Sequence, residues 1–436
     1  MQTRWLMMGL LLCPLVAHGA VRYAGPSGSG NAGCGNSSSG NPISGLNNGM
    51  NCLNGGDTLI VKNGTYAELV NGGNIPNGSA GAPTIIQAEN LHGAVIQPTG
   101  SPIVFVEFEN TGSTWIIIDG VVIDGSQVHR PTIALRIGNV SNLVFQNLEI
   151  RNQEGATTAA NTQAVSAGGS STANIRLTNL YVHDIGVEQI GLTSCADGSQ
   201  ACFSYGVYMT GTGFTIENSR FQTLSGYGIH GYPGPVNNII RNNTFDTVGA
   251  SGAILCGTNN QFYNNIITNT GHSRTAPALE LVRFCGSGGS HFIANNTIYN
   301  SGSPGNPCIH MGAADNSVVR NNLCWSNVND TITNGGGVNT VDTNLCNPSG
   351  STGGAISCPF YTDPVFVNAG GGDFHLQSSS PTQVKTGGVD LGSIFTTDYD
   401  GNDRIAPWSL GAFEEGAGGP SLPAPSNLRL ISITNP

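Results

Sequence analysis

A six-residue pattern, apolar–any–Asn–any–any–apolar, returns seven times along this chain and restricts its fold more than any other feature. It surrounds Asn147, Asn179, Asn218, Asn242, Asn264, Asn295 and Asn321, at successive spacings of 32, 39, 24, 22, 31 and 26 residues. Asp119, between Ile117 and Val122, fills the same slot one unit earlier. A repeat of 22 residues with insertions means one supersecondary unit per coil, stacked so that neighbours bury each other's apolar sides. Asn suits a sharp turn between strands because it tolerates the left-handed backbone region. Stacked Asn side chains also hydrogen-bond from coil to coil and satisfy amides inside the turn. These residues are therefore expected to be structural, not catalytic.

A second register runs parallel to the first. Strands are predicted over 205–209, 227–232, 252–256, 278–282 and 308–311, each ahead of an Asn turn. Alternation places Val207, Ile229, Ile254, Leu279 and Ile309 inside. Tyr208, His230, Leu255, Glu280 and His310 then point outward in one column, with Arg136 in the equivalent earlier place. Only 9% of residues are charged and 63 are Gly, which suits an all-β chain whose turns are made by Gly and Asn. The predicted fold is an all-β, right-handed parallel β-helix: a single-stranded solenoid of three parallel sheets with an N-terminal cap. Its expected extent is 21–415. A cap is expected over 42–53, coils to about Phe374, and a closing segment over 398–413.

Residues 1–20 read as a signal peptide, with Arg4 ahead of an apolar stretch from Leu6 to Val16 and small residues at the end. No later segment reaches the ~20 apolar residues a membrane helix needs. Residues 416–436 read as a Gly/Pro/Ser linker and tail. Without Cys13, ten cysteines remain. Export permits oxidation, so Cys195/Cys202 and Cys346/Cys358 are expected to close short loops, with Cys34/Cys52, Cys256/Cys285 and Cys308/Cys324 as further candidate pairs. Without Arg4 the chain has 14 basic and 26 acidic residues, a formal charge of −12, which argues against nucleic-acid binding through a basic face. The expected protein is thus exported, extracellular or periplasmic, and monomeric, with no membrane or nucleic-acid partner.

The opening Gly56-Asp57-Thr58 … Gly64-Thr65-Tyr66 resembles the start of secreted β-helix polysaccharide lyases of the chondroitinase-B-like and alginate-lyase-like kind. The run from Tyr227 to Tyr232, with Asn237 to Phe245, is similar to bacterial right-handed β-helix repeat proteins. So is the ending, through Asp363-Pro364-Val365-Phe366, Asp398-Tyr399-Asp400-Gly401-Asn402 and Gly411-Ala412-Phe413-Glu414. The resemblance covers about 21–415. It implies an extracellular polysaccharide as partner and a lyase that cleaves a uronic-acid polymer by β-elimination. Such motifs are architectural, so the activity has to be argued from the site.

β-Elimination needs a base at the proton beside the carboxylate and a positive group against the carboxylate. The resemblance implies Lys or Arg, often with calcium. Here only Lys62 and Lys385 exist, one near each end of the solenoid. His230 is the expected base, because an imidazole accepts a proton near neutral pH. Tyr208 and Tyr232 are expected to donate to the leaving oxygen. Arg220 is grouped with them, and Arg241 and Arg283 are further carboxylate holders; Glu280 and His310 share the column as substrate contacts. The plainer reading of His230 is a stacking residue on a sheet face. His183-Asp184, directly after an Asn turn, reads as structural. Glu107 and Glu109, with Asp119 and Asp124 close behind, are a possible calcium site or a surface charge pair with Arg136. Two alternatives stand beside the lyase: a non-catalytic carbohydrate-binding or adhesin-like solenoid, and a β-helix glycoside hydrolase. The hydrolase is disfavoured by the lack of adjacent Asp pairs in the middle coils.

Overall fold

The computed structural model describes residues 19–157, 160–190, 203–272, 275–282, 285, 286, 288–335, 337–346 and 362–416. Each coil runs through three strands, as in Tyr227–Gly231, Ile239–Arg241 and Thr244–Val248. Like strands of successive coils pair in parallel and build three long sheets, here sheets 1, 2 and 3 in that order. The fold is a right-handed parallel β-helix. Its interior is one continuous apolar column in which Phe221, Phe245 and Phe262 stack from coil to coil, with centroids 5.0 and 6.0 Å apart.

All seven pattern asparagines turn the chain from sheet 2 to sheet 3 with φ between 51° and 56°. Some of them bond from coil to coil as expected, Asn179 to Asn147 and Asn321 to Asn295. In the later coils a second, buried ladder inside the turn is built by the residue that follows. Asn243, Asn265, Asn296, Asn322 and Asn344 are fully buried. Each of the first four donates through Nδ2 to Oδ1 of the next, at 2.9–3.1 Å. The same Nδ2 groups also reach backbone carbonyls of a preceding coil, as Asn243 does to Ile216 at 2.9 Å. The Asn-Asn pair thus divides the work. The first residue adopts the left-handed backbone, and the second satisfies the buried amides.

The first residues of these pairs face outward, and the C-terminal segment lies against them. Asn321 donates to the Val389 carbonyl, Asn295 to Ser409 and Gly411, Asn264 to Thr397, and Asn242 to Asp398 and Tyr399. The closing segment is therefore a strap along the side of the solenoid, not a plug at its end. Nor do the coils extend to Phe374 as expected. Among the described residues the last parallel strand is Thr340–Asp342, and Phe366–Asn368 pairs antiparallel with Asp373–Leu376 as a separate hairpin. Arg404 anchors the strap. Its fully buried guanidinium donates to Asn264 Oδ1 and to the Gly411 and Ala412 carbonyls at 2.9–3.0 Å, pairs with Glu414 at 3.2 Å, and lies over Phe395 and Trp408.

At the other end, the helix Leu46–Met50 turns Leu46 and Met50 onto the first coils. Its first amides are satisfied by Glu68, which accepts from Leu46 and Asn47 at 2.7 and 2.8 Å. Disulfides Cys34–Cys52, Cys256–Cys285 and Cys308–Cys324 form as expected. Cys346 is also disulfide-bonded; Cys195, Cys202 and Cys358, like residues 1–18 of the expected signal peptide and the tail from 417, lie outside the described residues. No described helix is long and apolar enough to cross a membrane.

Candidate functional site on the first sheet

The outward column of sheet 1 is real, with one exchange. In register it reads Glu107, Arg136, Ser166, Tyr208, His230, Ile254, Glu280, His310 and Thr333. Ile254, not Leu255, follows His230, and Leu255 packs in the core. The run Gly252-Ala253-Ile254-Leu255-Cys256 has no polar residue to mark its alternation, so its phase is set only by pairing with the neighbouring coils.

Around His230 the column thickens into an aromatic cluster. Tyr208 lies parallel to His230, with 12° between the ring planes and 5.3 Å between centroids. Parallel rings that close have no room to lie side by side, so their faces are turned to one another. Tyr232 stands 5.8 Å from the imidazole. Tyr205 and Tyr227, both nearly fully buried, back the imidazole at 4.8 and 4.7 Å.

These two tyrosines were not assigned an outward place by alternation, and the reason is local. The chain bends directly after each of them. A Cβ on Gly206 would meet Phe221 and Leu224 of the core at 2.8 and 3.1 Å, and one on Gly228 would meet Phe245 at 2.5 Å. Two consecutive residues, Gly206 with Val207 and Gly228 with Ile229, therefore face inward, and the Tyr before each pair faces out. The Tyr-Gly dipeptide recurring 22 residues apart was the available signal.

Burial, with the neighbouring Tyr232 phenol, pushes the Tyr208 hydroxyl above its ordinary range, so it stays protonated and able to donate. Glu280 is in the predicted column but fully buried, accepting a hydrogen bond from Ser251. His310 contacts Thr333 Oγ1 through Nδ1 at 3.0 Å. Arg283 lies outside the described residues.

Arg220 and Arg241 do not join this cluster. Arg220 is on sheet 3 and pairs with Asp246 at 3.4 Å; Arg241 is on sheet 2, paired with Glu217 at 2.6 Å and donating to the Tyr263 hydroxyl at 3.3 Å. They flank the Asn218 turn and leave from faces other than that of His230. Sequence proximity misled here because each coil passes through all three faces within a few residues.

The possible calcium quartet is dispersed in the same way. Glu107 and Glu109 stay on sheet 1, 3.5 and 3.7 Å from Arg136. Asp119 accepts from Gln146 and Asn147, while Asp124 on sheet 3 pairs with Arg151 at 2.9 Å. No group of three or more His, Cys, Asp or Glu among the described residues is placed to hold a metal ion.

On sheet 3, His183 sits between Asp184 at 2.7 Å and Glu149 at 3.1 Å, under the stacked ring of Tyr181. Burial works against its charge, but the two carboxylate hydrogen bonds outweigh it and raise its pKa. The hydrogen bond from His183 leads the causes that bring Glu149 down to about 2. With both ring nitrogens hydrogen-bonded to carboxylates, the imidazole has no free nitrogen to act as a base, in keeping with a structural pair.

No family model matches the chain, and no curated protein matches it in sequence. Its structure superposes on the pectate lyase Pel9A with a TM-score of 0.60 at 15% identity, over 91% of this chain and 96% of that one. It also superposes on XylC, solved in complex with xylose, with a TM-score of 0.51 at 10% identity, over 91% and 99%. At these identities the likeness is one of fold. From its first strand to the strap, the described chain is a right-handed parallel β-helix of pectate-lyase-like architecture.

Proposed function

We propose that this protein is exported and acts on an extracellular polysaccharide as a lyase, cleaving a uronic-acid polymer by β-elimination on the outer face of sheet 1. The observation that carries this reading is the parallel Tyr208–His230 pair, half-buried, which sets a donor phenol beside an imidazole in the outward column of the solenoid. In the reaction the imidazole takes the proton from the carbon beside the carboxylate. The electron pair forms the new double bond, the bond to the 4-linked sugar breaks, and the leaving oxygen takes a proton from Tyr208 or Tyr232. The signal-like leader and the three disulfides support export.

The face-to-face stacking also bears on the non-catalytic alternative. Sugar binding by solenoids without chemistry would draw on open aromatic faces, whereas Tyr208 and His230 turn their faces to each other. A panel of uronic-acid polymers, with and without a chelator, tests the proposal. Unsaturated, ultraviolet-absorbing product from at least one polymer is expected. Polymer binding without product, unchanged by His230→Ala, would establish the binder, and saturated reducing ends would establish the hydrolase.

A further inference from the structure

Arg136 occupies the same outward column as His230, three coils toward the N-terminus, with Ser166 and Tyr208 between them. At the ~4.8 Å spacing of neighbouring strands this is about 14 Å along the solenoid axis. Its ion pairs are loose. Both Glu107 and Glu109 approach the same nitrogen, Nη1, at 3.5 and 3.7 Å, well beyond the ~2.7–2.9 Å of a tight charge-assisted hydrogen bond. All three side chains remain partly exposed, at 27% for Arg136 and 29% and 39% for its partners. A guanidinium carries five donors in a planar fork, and neither carboxylate engages the edge away from Nη1. Ser166, the residue between Arg136 and Tyr208, is small and half-buried, so the column is low between them.

We propose that Arg136 is a distal subsite for a carboxylate of the polymer, with the substrate chain lying along the solenoid axis from Arg136 to His230. This rests on the lyase reading above. Glu107 and Glu109 act as internal competitors: with Arg136 they leave the spot at a net charge of −1, and the substrate carboxylate displaces them from the guanidinium. Specificity follows from the geometry. A uronate polymer long enough to span three coils gains the contact; a disaccharide held at His230 does not reach it.

The test uses the full exported chain with polygalacturonate and alginate and with the matching uronate disaccharides. Arg136→Gln is expected to raise KM for the polymer about tenfold, the scale of one hydrogen bond to a charged group, with kcat unchanged. That effect fades as the substrate is shortened. The Glu107→Gln/Glu109→Gln double variant is expected to lower KM for the polymer, and added salt to erase the gain. An unchanged polymer KM in Arg136→Gln, or an equal loss with polymer and disaccharide, overturns the subsite. Should the native protein release no unsaturated product, the lyase reading fails by itself. Affinity electrophoresis in the same polymers then decides the subsite: equal retardation of native and Arg136→Gln protein rejects it, and weaker retardation of the variant upholds it.

Discussion

Each Asn-Asn pair puts two identical residues, adjacent in the chain, to opposite uses, so the two positions should respond differently to the same substitution. Asn265→Ala leaves buried partners unsatisfied, including the Ile240 carbonyl at 3.0 Å, and is expected to cost about 2–3 kcal/mol in urea unfolding. Asn242→Gly keeps the positive φ without strain and loses only the outer contacts to the Asp398 and Tyr399 carbonyls, so a smaller cost, about 1 kcal/mol, is expected. Equal losses would refute the division of labour. For the site, His230→Ala is expected to lower kcat by about a hundredfold or more with an unchanged thermal midpoint. Tyr208→Phe should also lower turnover, since it keeps the stacked ring and removes only the proton donor. A His230→Ala protein with native kcat removes the proposed base.

At the scale of elements, the strap and its hairpin depend on two clasps of different chemistry. Arg404 is a buried charge whose removal strands Glu414, and Arg404→Leu is expected to destabilise by about 3–5 kcal/mol in chemical denaturation. A variant of native stability would show that the apolar contacts of Phe395 and Trp408 hold the strap unaided. The second clasp, His375, joins the hairpin to the strap through Asp400 at 2.7 Å and Asp373 at 2.6 Å. The hydrogen bond to Asp400, more than that to Asp373, raises its pKa to about 9. A folded pKa above the unfolded value of ~6.5 gives a contribution that is fully present below pH 6.5 and is lost as the pH rises through 9. Denaturation between pH 6 and 10 is therefore expected to show a decline on the order of 2–3 kcal/mol that His375→Gln abolishes.

Across the whole molecule, stability is shared along a stack, since each coil contacts chiefly its neighbours. The disulfides Cys256–Cys285 and Cys308–Cys324 close loops of 29 and 16 residues in the coils that follow the site. Reduction is expected to lower stability by about 2–4 kcal/mol per bond and to loosen those coils first, readable as faster hydrogen exchange there than around Asn147. Uniform exchange along the solenoid would contradict this. The strap contributes at the same scale. It runs along the sheet 2 to sheet 3 turns and packs on both flanking sheets, through Phe395 against Tyr263 and Phe292 and through Ala412 and Phe413 in one cluster with Ile266. These contacts leave the outer face of sheet 1, with the Tyr–His cluster, on a side the strap does not follow.

The parallel β-helix, its turns and most of the outward column were legible in the sequence, because a solenoid repeats one local solution and each repeat carries the same residue for the same backbone reason. Asn at positive φ and apolar residues at fixed offsets need no distant contact to be recognised. The sequence also marked Tyr208, His230 and Tyr232 as neighbours on one strand face. Other features depended on what lies beside each strand and were decided only by tertiary structure. Pairing put Ile254 rather than Leu255 in the column. Bends at Gly206 and Gly228 brought Tyr205 and Tyr227 behind the imidazole, and the triangular path of the chain carried Arg220 and Arg241 to other faces. The closing segment found its acceptors and donors more than a hundred residues away, as Asn295 does at Ser409 and Gly411. A periodic pattern specifies the coil; which side chains of different coils share a face is fixed by register and by where the chain bends.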